Sequence, residues 1–595
     1  MIFNKHVIKY YFKYWFFFLL GIASLVVVDV VQTRIPEYLG KIINENNELI
    51  NDPSLIRSVV WSVVWCALII FVGRVLWRLT IFRASTGIEA GLRKEMFLKA
   101  ERLSSTYYHN NKVGNVMAWF TNDIETVGEF YGWGTIMIVD ALFLSVVVIV
   151  KMFKVSITMS VIALIPIVLI VFWGAMVEKI MSKKWEERQK AFDELYDFAQ
   201  ENFTGIRVIK AFVKENKEVH AFAKVARKNK DVNVGFARLS VLFDAFIEII
   251  IFVEIGFILG FGGWFVYSAV TLNPIYIFGQ AVQLNIGELI EFYGYVEILI
   301  WPMIALGQII TMASRSRTSL RRISNFLETE EDIKNPENPV YLGRIKGNIE
   351  FNHFSFAYPN SSFDSLNDIS LKINHGEKIG VVGKIGSGKT TLVNVLLRLY
   401  NVNPDSIYID GNDMMDCDIN SLRENIAYSP QDNFLFSDEI RNNIAFSSDE
   451  ALEDQYVEAA KFADVHDNVV EFTNGYETVS GERGVTLSGG QKQRISIARA
   501  YYKQAPIIIL DDSVSAVDVK TEETILHNIE NQCSDSTVIV VASRVSTVMR
   551  LDKIIVLDEG RLVAFDSHEN LMKTSPEYQR MVYLQELEKE VEGVK

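Results

Sequence analysis

The sequence predicts two joined parts: an α-helical membrane domain of six spans, then an α/β domain built around a phosphate-binding loop. Three observations predict it. Six long apolar runs fall within the first 310 of 595 residues. Beyond residue 347 short apolar strands alternate with helical patterns. Between one such strand and helix stands a glycine-rich loop ending in Lys-Thr.

The composition agrees. Apolar residues make up 49% of the chain and 38 residues are Phe, which is rich for a protein surrounded by water. The net charge of −14 carries no nucleic-acid footprint, so no nucleic-acid partner is expected. Cys66, Cys417 and Cys533 lie far apart and match no zinc or disulfide spacing, so they are read as packing residues. No cleavable signal peptide is expected, because the first apolar run lacks a small-residue cleavage site and leads into more membrane-like sequence.

Spans are predicted near 15–35, 58–80, 133–153, 156–177, 245–270 and 288–312. Each approaches the roughly 20 residues that a helix needs to cross a bilayer. "IVKMFKV" makes the third connection short. The second and fourth connections are long, helical in pattern and rich in Lys and Arg. The first carries Glu37, Glu45, Glu48 and Asp52, and the fifth has no Lys or Arg. Basic loops stay in the cytoplasm, which places the amino terminus and the α/β domain inside, with Lys151 and Lys154 as exceptions. The opening "NKHVIKYYFKY" reads as an interfacial helix. "ETEEDIKNPENPVYLGRIKG" has prolines, asparagines and acids and reads as a linker. The expected division is 1–327 for the membrane domain, 328–346 for the linker and 347–595 for the α/β domain.

"IGVVGKIGSGKTTLVNVLLRL" predicts a strand over 379–382 and a helix over 391–399. Gly383, Lys384, Ile385, Gly386, Ser387, Gly388, Lys389 and Thr390 between them fit G-x-x-x-x-G-K-[ST]. Such a loop turns backbone N–H groups inward around phosphate oxygens. Lys389 neutralises the outer phosphates, Thr390 offers a hydroxyl to Mg²⁺, and the helix amino terminus, with Thr391, adds its dipole. ATP and Mg²⁺ are therefore the expected cofactors. "IIILDD" reads as a buried strand ending at Asp511, a carboxylate able to hold the metal.

"ERGVTLSGGQKQRISIARA" follows about a hundred residues after the loop. Its Ser488, Gly489, Gly490 and Gln491 resemble the signature of ATP-binding-cassette proteins. The resemblance extends along the chain. "FSFAYP" resembles the adenine-stacking loop, with Tyr358 as the aromatic. "YSPQDNFLFSDEIRNNIAF" resembles the Gln loop, with Gln431 reaching the metal. Ser515-Ala516-Val517-Asp518 resembles the D-loop. "VGNVMAWFTNDIETV" and "ENFTGIRVIKAFVKENKE" resemble the cytoplasmic loops on which exporters of this family seat their spans, and "IGELIEFYGYVEILIWPM" resembles the start of their sixth span. The resemblance implies an exporter half-transporter of six spans and one cassette. In that family two chains pair, with each ATP between the phosphate loop of one chain and the signature of the other.

Two positions depart from the family pattern. Where a glutamate usually polarises water, this chain has Asp512, one methylene shorter and withdrawn by about 1.5 Å. The family's switch histidine falls at Ser543 in "VVASRVST". Both departures lie on the site built on this chain's own phosphate loop, while the signature is intact. That distribution is expected of a heterodimer with one slow and one competent site; the alternatives are a homodimer with two weak sites, or a tolerated substitution.

Asp29, Asp140, Glu248, Glu254, Glu291 and Glu297 sit in or near the spans. Carboxylates at mid-bilayer cost about 2.5–3.5 kcal/mol on insertion scales, so they face the bundle or a watery cavity. Two readings stand. Asp140, Glu291 and Glu297 line a cavity for cationic amphipathic molecules, or the acids pair with Arg34, Arg74 or Arg78. The expectation is a multi-pass subunit of an exporter in a bacterial plasma membrane, moving small amphipathic or drug-like molecules across the lipid bilayer. A lipid flippase, a peptide exporter and an ATP-gated regulatory or channel-like subunit are the alternatives. A peptide exporter of the processing type is not expected, since the resemblance begins at the first span.

Overall fold

The structure, a computed structural model, describes residues 4–44, 53–271, 275–277, 280–359, 361–481, 484, 487–514 and 517–593. Two compact units divide it: Met1–Glu101 with Val113–Thr329, and Arg102–Lys112 with Glu330–Lys595.

In the first unit the predicted spans are helical apart from Thr33, where the first run breaks between Trp15–Gln32 and Arg34–Asn44, and Ser156, which precedes the fourth. Among the described residues, four helical runs are long and apolar enough to cross a membrane: Trp15–Asn44, Arg57–Arg102, Val113–Val155 and Ile286–Glu328. The fourth and fifth predicted spans lie within Ile157–Thr204 and Glu215–Val270. The helices do not stop where the apolar runs stop. The helix Pro53–Arg102 runs 50 residues and Glu215–Val270 runs 56. Neither of these two helices has a proline beyond its first residue, so backbone hydrogen bonding continues as the side chains turn polar.

Val113–Val155 is not uniform. It widens to i→i+5 turns at Trp119–Asp123, Phe130–Gly134 and Asp140–Leu144, a feature often found at functional sites. The third connection is as short as expected: Ser156 alone separates two helices and caps the second, its Oγ accepting from the Met159 N–H at 3.4 Å. The fifth connection contains a short antiparallel pair, with Ile275 opposite Val282. Glu45, Glu48 and Asp52 of the first connection lie outside the described residues.

The helices Arg34–Asn44 and Ile286–Glu328 meet backbone to backbone. A Cβ on Gly287 would stand 2.1 Å from the Gly40 carbonyl oxygen, so only glycine fits there. Asn44 Oδ1 accepts from the Gly287 N–H at 2.9 Å. The three cysteines are buried free thiols, as their spacing predicts.

The second unit holds a six-stranded sheet. Its spatial order is Arg561–Asp566, Lys553–Asp558, Lys378–Gly383, Thr537–Val541, Ile507–Asp511, Ile426–Ser429. All neighbours are parallel except the first pair. The three middle strands carry Val, Ile and Leu on both faces, as a parallel sheet covered on both sides requires. A four-stranded antiparallel sheet packs its inner residues, among them Phe351 and Phe354, against the same core. The stretch read as a linker is bound to this unit. Val340 bridges Cys417, the Ile419 N–H donates to Asn335 Oδ1 at 2.8 Å, and Ser104 Oγ donates to Asp332 Oδ2 at 2.7 Å.

Candidate nucleotide site

Register assembles the site. Val541 lies beside both Val381 and Asp511, so three parallel strands end at one level. The chain leaves them into the phosphate loop, the Ser543 turn and Asp512. Ligands of open α/β sheets bind at such carboxyl ends.

The loop leaves the sheet at Gly383 and enters the helix Lys389–Leu396, two residues earlier than the sequence pattern places it. The helix starts earlier because Gly388, at φ +98°, turns the chain directly into it. It also ends earlier, at Leu396, because Arg398 adopts φ +48° and buries its guanidinium against the Met414 and Cys417 carbonyls. A Cβ on Gly388 would meet Leu366 at 2.7 Å, so glycine is required there twice over. Lys389 Nζ donates to the Gly383 and Lys384 carbonyls at 2.7 and 2.9 Å. Burial pushes its pKa down, while Asp512 and Asp511 pull it back up. Lys384 pairs with Asp558 at 3.1 Å, and Ile385 is fully exposed.

Asp511 is 1% exposed, and both its carboxylate oxygens are buried without a hydrogen-bond partner among the described residues. Burial, then the charge of Asp512, pushes its pKa up to about 6, with Thr390, Lys389 and Tyr428 pulling the other way. Ser387 Oγ is likewise buried and unpartnered. Orphaned polar atoms are costly, and a bound cation and phosphates would satisfy them. The residues thus fit Mg-ATP. Thr390 and Asp511 would hold the cation, and Lys389 with the loop N–H groups would hold the phosphates. Bound Mg²⁺ would supply neutralising charge as the outer phosphate departs.

Asp512 follows at φ +48°, an uncommon backbone state outside glycine. Its N–H donates to the Val541 carbonyl at 3.0 Å. Ser543 Oγ donates to Asp512 Oδ2 at 3.1 Å, so the two residues that depart from the family pattern bond to each other.

Tyr358 packs edge-on against Phe356 and Tyr400, and its hydroxyl meets Thr391 Oγ1 at 3.0 Å. Gln431 is exposed on the loop after Ile426–Ser429. Ser488 caps the helix Gly489–Tyr502: its Oγ accepts from the Gln491 N–H at 3.3 Å, and Gln491 Oε1 accepts from the Ser488 N–H at 2.9 Å. A Cβ on Gly489 or Gly490 would meet nothing within 4 Å. Asp518 caps the helix Val519–Gln532, its Oδ1 accepting from the Thr521 N–H at 3.1 Å. Ser515 and Ala516 lie outside the described residues.

Sequence reasoning missed two glutamines. Gln493 is 4% exposed and its Nε2 donates to the Asp512 carbonyl at 3.1 Å. Gln585 reaches the Ser543 turn from the last helix. A polar residue on the inner face of the signature helix was the available signal for the first. For the second there was none.

In the membrane unit Arg74 lies close enough to Asp29 and Asp140 to act on their charge, and several acids have hydrogen-bond partners of their own. Trp301 Nε1 donates to Asp140 Oδ2 at 3.1 Å. Tyr295 donates to Glu291 Oε1 at 2.8 Å. Lys151 Nζ reaches Glu37 Oε1 at 2.5 Å, which neutralises one of the two lysines that break the charge rule. Arg34 pairs with Glu37 at 3.3 Å, not with a span acid. Glu297 is exposed, whereas Asp29 and Glu254 are buried. An acid the sequence reading passed over, Asp123, is buried, pairs with the exposed Arg322 and accepts from Ser319 Oγ at 2.8 Å.

A phosphate loop, an unpartnered metal-side carboxylate and a signature helix in one α/β unit, joined to long apolar helices, define an ATPase-driven membrane transporter with both parts on one chain. The chain belongs to the ABC transporter family. Residues 18–303 match the family model described as the ABC transporter transmembrane region, and 366–515 match that described as ABC transporter. It is 32% identical to the probable multidrug resistance ABC transporter ATP-binding/permease protein YheI of Bacillus subtilis (strain 168), over 98% of each chain. It is 31% identical to the multidrug resistance-like ATP-binding protein MdlA of Escherichia coli (strain K12), over 97% of this chain and 96% of that one. The fold matches a bacterial Atm1-family ABC exporter with ATP bound, with TM-score 0.77 and 23% identity over 97% and 98% of the two chains.

Proposed function

We propose that this chain is one half of an ATP-driven exporter of amphipathic, drug-like molecules in a bacterial plasma membrane, with its amino terminus and cassette in the cytoplasm. It pairs with a different half-transporter. Its own ATP site turns over slowly, and its signature serves the partner's competent site. The relatives named for multidrug resistance support the substrate class.

The observation that carries the asymmetry is the 3.1 Å bond from Ser543 to Asp512. A general base needs a carboxylate within about 3 Å of the attacking water. Asp512 is short by a methylene, and the residue that orients it, Ser543, cannot carry an imidazole's charge. The signature shows no such loss, since Gly489 and Gly490 present open space. ATP from another chain has room to approach there.

The test compares Gly490→Leu with Asp512→Asn in the paired exporter, reading ATPase rate and dye export. A Cβ at Gly490 meets nothing within 4 Å, and leucine favours a helix over glycine by up to about 1 kcal/mol, so folding is expected to be spared. We expect it to lower turnover by about 10²-fold or more, the scale of lost transition-state contacts. Asp512→Asn should cost about tenfold or less, as for a site already lacking its base. Equal losses would replace the asymmetric pair with a symmetric, aspartate-based ATPase.

A further inference from the structure

We infer that Gln585 is a positioning residue for ATP hydrolysis, acting from the last helix through Ser543 on Asp512. The inference rests on the reading that Asp512 and Ser543 face the outer phosphate of this chain's own ATP.

The switch turn joins the strand Thr537–Val541 to the short helix Val545–Val548. That helix begins without a local side-chain cap, because Arg544 at its amino end supplies none. Its first N–H is satisfied from forty residues away: Val545 donates to Gln585 Oε1 at 2.7 Å. The same amide returns a bond, with Gln585 Nε2 donating to the Ser543 carbonyl at 3.1 Å. One planar group thus grips the turn on both sides of Arg544. One partner is a donor and the other an acceptor, so the amide's orientation is fixed by its bonds. An amide both gives and takes in its own plane, and Gln has a longer stem than Asn to reach the turn.

The grip has a firm base. Tyr578, at the start of the helix Pro576–Gly593, is fully buried, and its hydroxyl bonds to His568 Nδ1 at 2.8 Å. Val582 is buried one turn before Gln585. The helix is therefore anchored on the unit's own core, and Gln585 projects from the anchored part. Fixing the Ser543 carbonyl fixes the residue whose hydroxyl holds Asp512. A displacement of about 1 Å in such a chain can cost up to 10²-fold in rate. The carboxyl-terminal helix then governs the rate at this site without touching nucleotide.

The test is a double-mutant cycle on the paired exporter in lipid nanodiscs, in a Gly490→Leu background so that turnover at this chain's own site is what is read, with Mg-ATP as the probe. Hydrolysis is read as kcat and KM, with melting temperature alongside. Gln585→Ala should lower kcat by about tenfold with KM changed less than about twofold. Ser543→Ala should lower kcat likewise, and adding Gln585→Ala to it should cost less than about twofold more, because the two act in series. Ending the chain after Leu584 keeps Tyr578 and Val582 and should reproduce Gln585→Ala. Equal losses from Gln585→Ala with and without Ser543 would make Gln585 a structural residue and overturn the inference. So would an unchanged kcat for Gln585→Ala beside a lowered one for Ser543→Ala. Unchanged rates for Ser543→Ala would sink the reading of the site itself, and the inference with it.

Discussion

Gln493 Nε2 donates to the backbone carbonyl of Asp512 at 3.1 Å, from a helix whose first residues are the signature. The helix thus has two ends of business. Ser488 and Gly490 face open space at its amino terminus, and a turn later Gln493 holds the peptide on which the water-polarising position stands. About one turn of helix, roughly 5 Å, separates the signature glycines from the Gln493 that bonds to Asp512.

Replacing Gln493 with Leu keeps the volume and removes the bond. The Asp512 carbonyl would lose this hydrogen bond, a loss of about 0.5–1.5 kcal/mol. We expect ATPase activity to fall while equilibrium ATP binding changes less than about threefold, since Lys389 and Thr390 are untouched. Titration with Mg-ATP beside steady-state rates checks this. A loss of binding as large as the loss of rate would place Gln493 among residues that merely hold the unit together.

Asp511 gives the site a pH dependence. Its pKa, near 6 through burial and the charge of Asp512, lies above the ordinary carboxylate value. The folded chain therefore holds this proton more tightly than the unfolded one. Its contribution to the stability of the ligand-free protein is present below about pH 4 and lost as pH rises through 6. Metal needs the ionised form, so the sign for Mg²⁺ is opposite. Mg-dependent ATP binding should weaken by up to about tenfold per pH unit below 6. Calorimetry from pH 5 to 8, with and without Mg²⁺, reads it. The step should be absent without Mg²⁺ and in Asp511→Asn; a step that persists in that variant belongs to another group.

The membrane acids separate into bonded and free. Glu291 accepts from Tyr295, and Asp140 from Trp301. Gln and Asn would still accept those bonds. Glu297 is exposed, as the proposed substrate path requires. Glu297→Gln should reduce export of cationic dyes at least about threefold more than that of neutral ones, a difference near the 0.6 kcal/mol thermal scale. Glu291→Gln should lower both classes equally, if at all. Vesicle transport with paired dyes of similar size checks both. Selectivity at Glu291 with none at Glu297 would move the cavity to the other side of that helix.

What the sequence made legible is what is local in it. Gly383 to Thr390 are contiguous, and their job, turning N–H groups inward, follows from their own backbone freedom. The cap made by Ser488 and Gln491 is likewise a three-residue matter. Spans were legible because bilayer thickness sets their length. The places where helices leave the membrane were not, because Pro53–Arg102 continues with the same hydrogen bonds and only its surface changes. Gln493, Gln585 and the Asp123–Arg322 pair were not legible either. Each acts across 19 to 199 residues of chain, and nothing local in a glutamine announces a carbonyl that distant. The bond between Ser543 and Asp512 stands between the two cases: both residues were singled out, but their contact needed the register of two parallel strands.

The unbroken helix Pro53–Arg102 has a mechanical consequence. Fifty residues at 1.5 Å each make a rod of about 75 Å, with its one proline at the very start. A tilt of about 5° at one end swings the other by about 6–7 Å, more than the pitch of the helix itself. Small rotations can thus become strokes the size of a drug molecule with no joint between, and the stiffness of this lever, more than any single contact along it, limits how much of each stroke is lost to bending.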